Sequence, residues 1–103
     1  MKLERIIKSD KKDKKFTAIF CLCKGKSCCD DSKKKKVNFG SAGMDDYTIT
    51  KDKEQRNRYR ARHKKDLETG DPTRAGYLSF YILWGDSTSI QKNIELYKKK
   101  FNL

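Results

Sequence analysis

The chain begins with a two-residue hydrophobic rhythm and ends with a helical one. Leu3, Ile6 and Ile7 form a weak apolar segment, followed by a polar turn over residues 9–13. From Lys15 to Cys23 the pattern alternates, with Phe16, Ala18, Phe20 and Leu22 on one side and Thr17, Ile19, Cys21 and Cys23 on the other. A polar loop over 24–35 follows, and residues 36–39 resume a strand in which Val37 and Phe39 face the same way. These segments predict a three-stranded antiparallel meander, packed on one face and solvated and cationic on the other.

Beyond the break at Ser41, Ala42 and Gly43 the rhythm changes. Asp52, with Gln55 three residues on, resembles a capping box and starts a helix that runs to about residue 63 or 65. Tyr59 and His63 share one face of it, Arg56 and Arg60 lie on one flank, and Arg58 and Arg62 on the other. So polar a helix is peripheral, resting on the core through Tyr59, His63 and the arginine stems. Asp71 as N-cap and Pro72 at the first helical position open a second helix over 72–84, apolar nearly all round and therefore central. Gly85 stops it. Gly76 inside it costs about 1 kcal/mol relative to alanine, so a close backbone approach there, by the last helix, is expected. Thr88 with Gln91 opens that last helix, where Ile90, Ile94, Tyr97 and Phe101 recur at i, i+4, i+7 and i+11. Strands followed by three helices make an α+β domain over residues 1–103, with a strand region at 1–40, a helical region at 51–103 and the helix near 72–84 at its centre.

Composition sharpens this reading. Only 35% of residues are hydrophobic while 11% are aromatic, so a few rings supply much of the burial: Phe16, Phe20, Phe39, Tyr59, Tyr77, Phe80, Tyr81, Trp84, Tyr97 and Phe101. Charge adds a partner. The formal net charge is +12, and residues 1–40 carry 13 basic against 5 acidic side chains, all the basic ones lysine except Arg5. Solubility asks for a magnitude of only about 2–8 in a small domain, so a polyanionic partner is expected, either nucleic acid or an acidic protein surface. Lys11, Lys12, Lys33, Lys34, Lys35 and Lys36 suit diffuse attraction, whereas Arg56, Arg58, Arg60 and Arg62 suit shaped contact with phosphate or carboxylate. The competing reading of the lysines is solvated strand ends that discourage aggregation.

Other chemistry is thinly represented. His63 is the one histidine, and without a nucleophile and an orienting group read beside it, it is taken as a packing or capping residue. Asp45, Asp46 and Asp52 could hold Mg²⁺ for nuclease chemistry, but turn and cap duties account for them. Cys21, Cys23, Cys28 and Cys29 read as a C-x-C-x4-C-C cluster, open to zinc or a disulfide, with free thiols favoured because adjacent cysteines fit one tetrahedral ion poorly. The glycines at 40 and 43 form a turn without the lysine of a P-loop. Nothing points to a cofactor or a small-molecule substrate. No apolar run approaches the roughly 18 residues of a membrane span, and no secretory signal is read, which predicts synthesis in the cytosol with reduced thiols.

A set of fixed points carries a resemblance: Phe39-Gly40, Gly43, Asp46-Tyr47-Thr48, Lys51-Asp52-Lys53, Tyr59, Arg62-His63, Asp71-Pro72, Ala75-Gly76, Ser79, Ile82-Leu83-Trp84, Ser89-Ile90, Tyr97 and Phe101. With the opening Met1-Lys2-Leu3, Lys8-Ser9 and Lys14-Lys15-Phe16, the chain resembles small basic proteins of unknown function from nucleocytoplasmic large DNA viruses, chlorovirus-like and mimivirus-like. Residues 23–35 fall outside the resemblance. It implies a viral protein carried in the particle, or in host cytoplasm or nucleus during infection, and it transfers no catalytic residue. Two roles are expected from residues and resemblance together. The first is a non-enzymatic minor capsid or core component docking on acidic viral proteins or packaged genome. The second is a weakly sequence-dependent protein that neutralises the DNA or RNA backbone.

Overall fold

A computed structural model describes residues 2–21 and 34–103. Strands β1 (Lys2–Lys8), β2 (Lys14–Cys21) and β3 (Lys34–Ser41) form one antiparallel sheet in the order β1-β2-β3. The fold is α+β, as the change of rhythm predicts. Register sets Leu3 beside Phe20, Ile6 and Val37 on either side of Ala18, and Phe16 beside Phe39, all toward the helices. Ala18 and Phe20 are fully buried.

The opposite face of the sheet is only partly solvated. Thr17, Ile19 and Cys21 of the central strand are buried, while Arg5 and Lys36, the register neighbours of Ile19, are exposed. A central strand is flanked on both sides by long side chains whose stems shield it and whose charged heads remain in water. The Thr17 hydroxyl donates to Asn38 Oδ1 at 2.6 Å, which removes the cost of burying it.

The helices follow on the core side. α1 (Tyr47–Thr50) is a single turn, not anticipated from the sequence, capped by Asp46 and burying Tyr47. α2 (Lys53–His63) starts at Asp52, whose carboxylate accepts from the backbone N–H of Glu54 and Gln55, and a 3₁₀ segment, Lys64–Thr69, continues it. Asp71 and Pro72 do not open the central helix. Asp71 Oδ1 accepts from the N–H and hydroxyl of Thr73, closing a local turn, so α3 begins only at Ala75 and runs Ala75–Leu78. Side-chain competition for backbone N–H groups favours such turns over helix propagation. The expected span over 72–84 is thus shortened, and its second half, Ser79–Leu83, is a π-helical turn.

α4 (Ile90–Lys100) is capped by Ser89, whose hydroxyl accepts from the Lys92 N–H, one residue later than the expected cap at Thr88. Leu78, Ile82 and Leu83 from the central element, Tyr97 from α4, and Phe20 and Phe39 from the sheet form one core. Tyr77, Tyr81, Tyr97 and Phe101 pack ring against ring at its edge, with centroids 4.9–6.2 Å apart. No helix among the described residues is long and apolar enough to cross a membrane.

Candidate functional site: a cleft between the sheet end and the second helix

The strap after β3, the inner face of α2 and the start of α3 surround a cleft of 580 Å³. Its wall is a ladder of rings. Tyr59 stacks on Trp84 at 4.3 Å between centroids and on His63 at 4.1 Å. The i, i+4 spacing on α2 puts Tyr59 and His63 side by side, and the π turn brings Trp84 against Tyr59. π turns recur at functional sites because the extra residue re-aims neighbouring side chains.

His63 is more than the isolated packing residue read from the sequence. Its Nδ1 lies 3.0 Å from Asp66 Oδ2, an orienting partner supplied by the 3₁₀ segment. That partner reaches the cleft because of Gly76: a Cβ there would stand 3.0 Å from Asp66 Cβ. The backbone approach expected at Gly76 is not what stands there: the neighbour is the Asp66 side chain of the 3₁₀ segment, not a backbone and not the last helix. Asp66 stands three residues from His63, a helical spacing, and a glycine inside an apolar helix marks Gly76, but nothing local pairs the two.

Tyr59 is held neutral in this wall. Burial, aided by the Asp66 carboxylate and opposed by the hydrogen bond with Ser79, pushes its hydroxyl up to about 12. An unfolded tyrosine titrates near 10, so folding stability is unaffected below pH about 10 and falls as pH rises toward about 12. Tyr97 moves in the same direction through burial. Urea unfolding across this range is expected to show the decline, and Tyr59→Phe is expected to reduce it; an unchanged slope in that variant would contradict the assignment.

Across the cleft, Lys15 Nζ donates to Asp46 Oδ2 at 2.6 Å, and both side chains are largely buried, 13% and 3% exposed. This pair stands between the cleft and a second hollow of 540 Å³ under the β1–β2 hairpin, lined by Lys11, Lys12, Lys14 and Ile49 among others. Lys14 and Gly43 also border both, so the two hollows read as one groove crossed by an ion pair.

The four arginines of α2 divide into two pairs. Arg56 Nε donates to the Gly85 carbonyl at 2.5 Å and its Nη2 to Asp86 at 2.7 Å, while Arg60 lies 3.4 Å from Asp86 and 4.6 Å from the centre of the Phe80 ring. These two fasten α2 to the connection before α4. Arg58 and Arg62 are exposed, and Arg62 borders the cleft. Lys11 and Lys12 are exposed in the hairpin turn, Lys34 pairs with Glu4 at 3.2 Å, Lys35 donates to Thr73 at 3.0 Å, and Lys36 is exposed on the outer sheet face.

Cys23, Cys28, Cys29 and Lys33 lie outside the described residues. Cys21 takes part in a disulfide, which corrects the expectation of a free thiol at this position and removes this sulfur as a zinc ligand. Among the described residues no three of His, Cys, Asp and Glu are placed to hold a metal ion. Asp46 and Asp52 serve as caps of α1 and α2.

Comparison with known proteins adds a family and no activity. The model of a family of unknown function, DUF5754, matches residues 4–63. The match holds the sheet, α1 and α2, and ends at His63, before the markers at 71–101. No curated protein and no solved structure matches.

Proposed function

We propose, for a chain that belongs to the family of unknown function DUF5754, a non-enzymatic role as a cationic protein that binds the phosphodiester backbone of nucleic acid with little sequence dependence. The observation that supports it most is where the unpaired cations stand. Among the described residues eighteen lysines and arginines hold no ion pair, and five of them, Lys8, Lys11, Lys12, Lys14 and Arg62, rim the groove. The described surface offers little for apolar docking: its exposed large hydrophobic residues are Ile7, Met44, Ile49 and Leu96, with no aromatic among them. Unpaired cations attract phosphates and release counterions, which gives affinity without reading bases.

Duplex DNA titrated at increasing salt tests this reading. The logarithm of the binding constant is expected to fall linearly with that of salt, about −0.9 per phosphate contacted. Replacing Arg58 and Arg62 by glutamine is expected to flatten the slope by about 2 and leave the unfolding midpoint unchanged. Replacing Arg56 and Arg60 should do the reverse, lowering stability through the lost anchor to Gly85 and Asp86. Absence of binding at low salt would redirect the charge to an acidic protein surface.

The setting we propose, a minor capsid or core component of a large DNA virus particle, is supported by the resemblance of the residues described above. Proteomics of purified particles tests it, and absence from particles while abundant in infected cells would rule it out.

A further inference from the structure

The charge of the cleft departs from that of the chain. Its wall bears three lysine or arginine side chains, Lys14, Lys15 and Arg62, and three aspartates, Asp45, Asp46 and Asp66, in a protein of formal net charge +12. A run of phosphates would meet carboxylates there, so the interior is not a polyanion site. It offers instead a flat wall of rings and a mixture of hydrogen-bonding edges. His63 ends the ladder with its side chain 41% exposed, and the Gln55 amide, the Ser79 hydroxyl and the Asp45 carboxylate also line the space. Asp45 has no hydrogen bond or ion pair among the described residues. Lys14 and Arg62 are the unpaired cations of this lining.

A ligand matching this pattern is planar, carries both donors and acceptors on its edge, and has a single anionic group at one end. We infer that the cleft binds one nucleotide, its base against the exposed ring of His63 and its phosphate held at the rim by Lys14 and Arg62. Bases stack on histidine and on larger aromatic rings, and an unstacked base presents the edge that Gln55, Ser79 and Asp45 would meet. The cavity volume suits such a ligand, since small-molecule sites run to about 300–1,000 Å³. The nucleotide is free or is a terminal or extruded residue of a bound strand. The strand form rests on the nucleic-acid reading above, and the free form does not.

Trp84, the one tryptophan of the chain, lines the cleft and stacks on Tyr59, the ring behind His63, so its fluorescence follows occupancy through the ladder, and calorimetry measures binding itself. Nucleoside monophosphates titrated into the intact protein are expected to change that fluorescence saturably, while inorganic phosphate at equal concentration does not. His63→Ala is expected to weaken mononucleotide binding about five-fold or more by removing the stacking surface. Arg62→Gln, at an exposed position that leaves folding intact, is expected to weaken the monophosphate and leave the matching nucleoside unaffected. A single-stranded oligonucleotide that shifts Trp84 and competes with the mononucleotide identifies the strand form; competition absent, the free form stands.

No binding of any mononucleotide by calorimetry overturns the inference, as does equal binding of phosphate alone. If duplex DNA still binds with the expected salt slope, only the cleft assignment falls. If mononucleotides bind and duplex does not, the backbone reading falls and the cleft assignment stands.

Discussion

Replacing Asp46 by alanine is expected to destabilise the protein by about 3–5 kcal/mol, a large part of the 5–15 kcal/mol that holds a domain of this size folded. Three roles converge on this carboxylate, which is 2% exposed. It caps α1 by accepting from the Thr48 N–H at 2.8 Å and from the Thr48 hydroxyl, and it pairs with Lys15. The cap alone is worth about 1 kcal/mol. The larger cost is the Lys15 ammonium left in a mostly buried position without a counter-charge, relieved only as far as its 13% exposure lets water reach it. Asp46→Asn keeps a capping oxygen and loses the charge, so its own cost reports the pair and the difference between the two variants reports the cap. Removing both charges by Lys15→Met with Asp46→Asn is expected to be milder than Asp46→Asn alone. Urea unfolding of the four proteins checks this, and a loss of under about 1 kcal/mol for Asp46→Ala would mean that Lys15 finds water instead.

Asn93→Ala is expected to cost about 3 kcal/mol or more, because one side chain satisfies three backbone groups. Its Nδ2 donates to the Ile82 carbonyl at 2.9 Å and to the Ser87 carbonyl at 2.7 Å, and its Oδ1 accepts from the Ser87 N–H at 3.0 Å. Asn93 is 1% exposed, so the Ile82 carbonyl would lose its bond in a place water does not reach. The connection it holds leaves the π turn and enters α4, and it carries Gly85 and Asp86, the anchors of Arg56 and Arg60. Gly85 belongs to the same knot: a Cβ there would lie 2.1 Å from the Tyr81 carbonyl oxygen and 3.0 Å from Asn93 Cγ. At about 4–8 °C of melting temperature per kcal/mol, Asn93→Ala should melt well over 10 °C lower. Because Trp84 adjoins this connection, its fluorescence should also change in the folded state of the variant. A melting shift of a few degrees would show that the connection closes without the asparagine.

Local signals were strong enough to read the strands from their alternation, α2 from the capping residue Asp52, and the separation of Tyr59 and His63 from the two arginine flanks by helical spacing alone. Period-2 and period-3.6 patterns are properties of neighbouring residues, so the chain states them directly. Asp71 with Pro72 misled for an equally local reason, since the same carboxylate that caps a helix also closes a turn on Thr73.

What only the tertiary structure decided are pairings between residues far apart in the chain. Lys15 meets Asp46, Arg56 meets Gly85, Asp66 meets Gly76 and Tyr59 meets Trp84. None has a periodic signature, because each depends on how the helices settle on the sheet. The sequence by itself determined the elements, the sign of the net charge and the aromatic supply of the core. Packing decided which charges are used up inside: it removed Arg56 and Arg60 from the set available to a partner, left Arg58 and Arg62 free, and gathered a neutral, ring-walled cleft within a strongly basic chain. The physical reason is that burying a charge or a polar atom requires a partner in space, and only the folded chain can supply one.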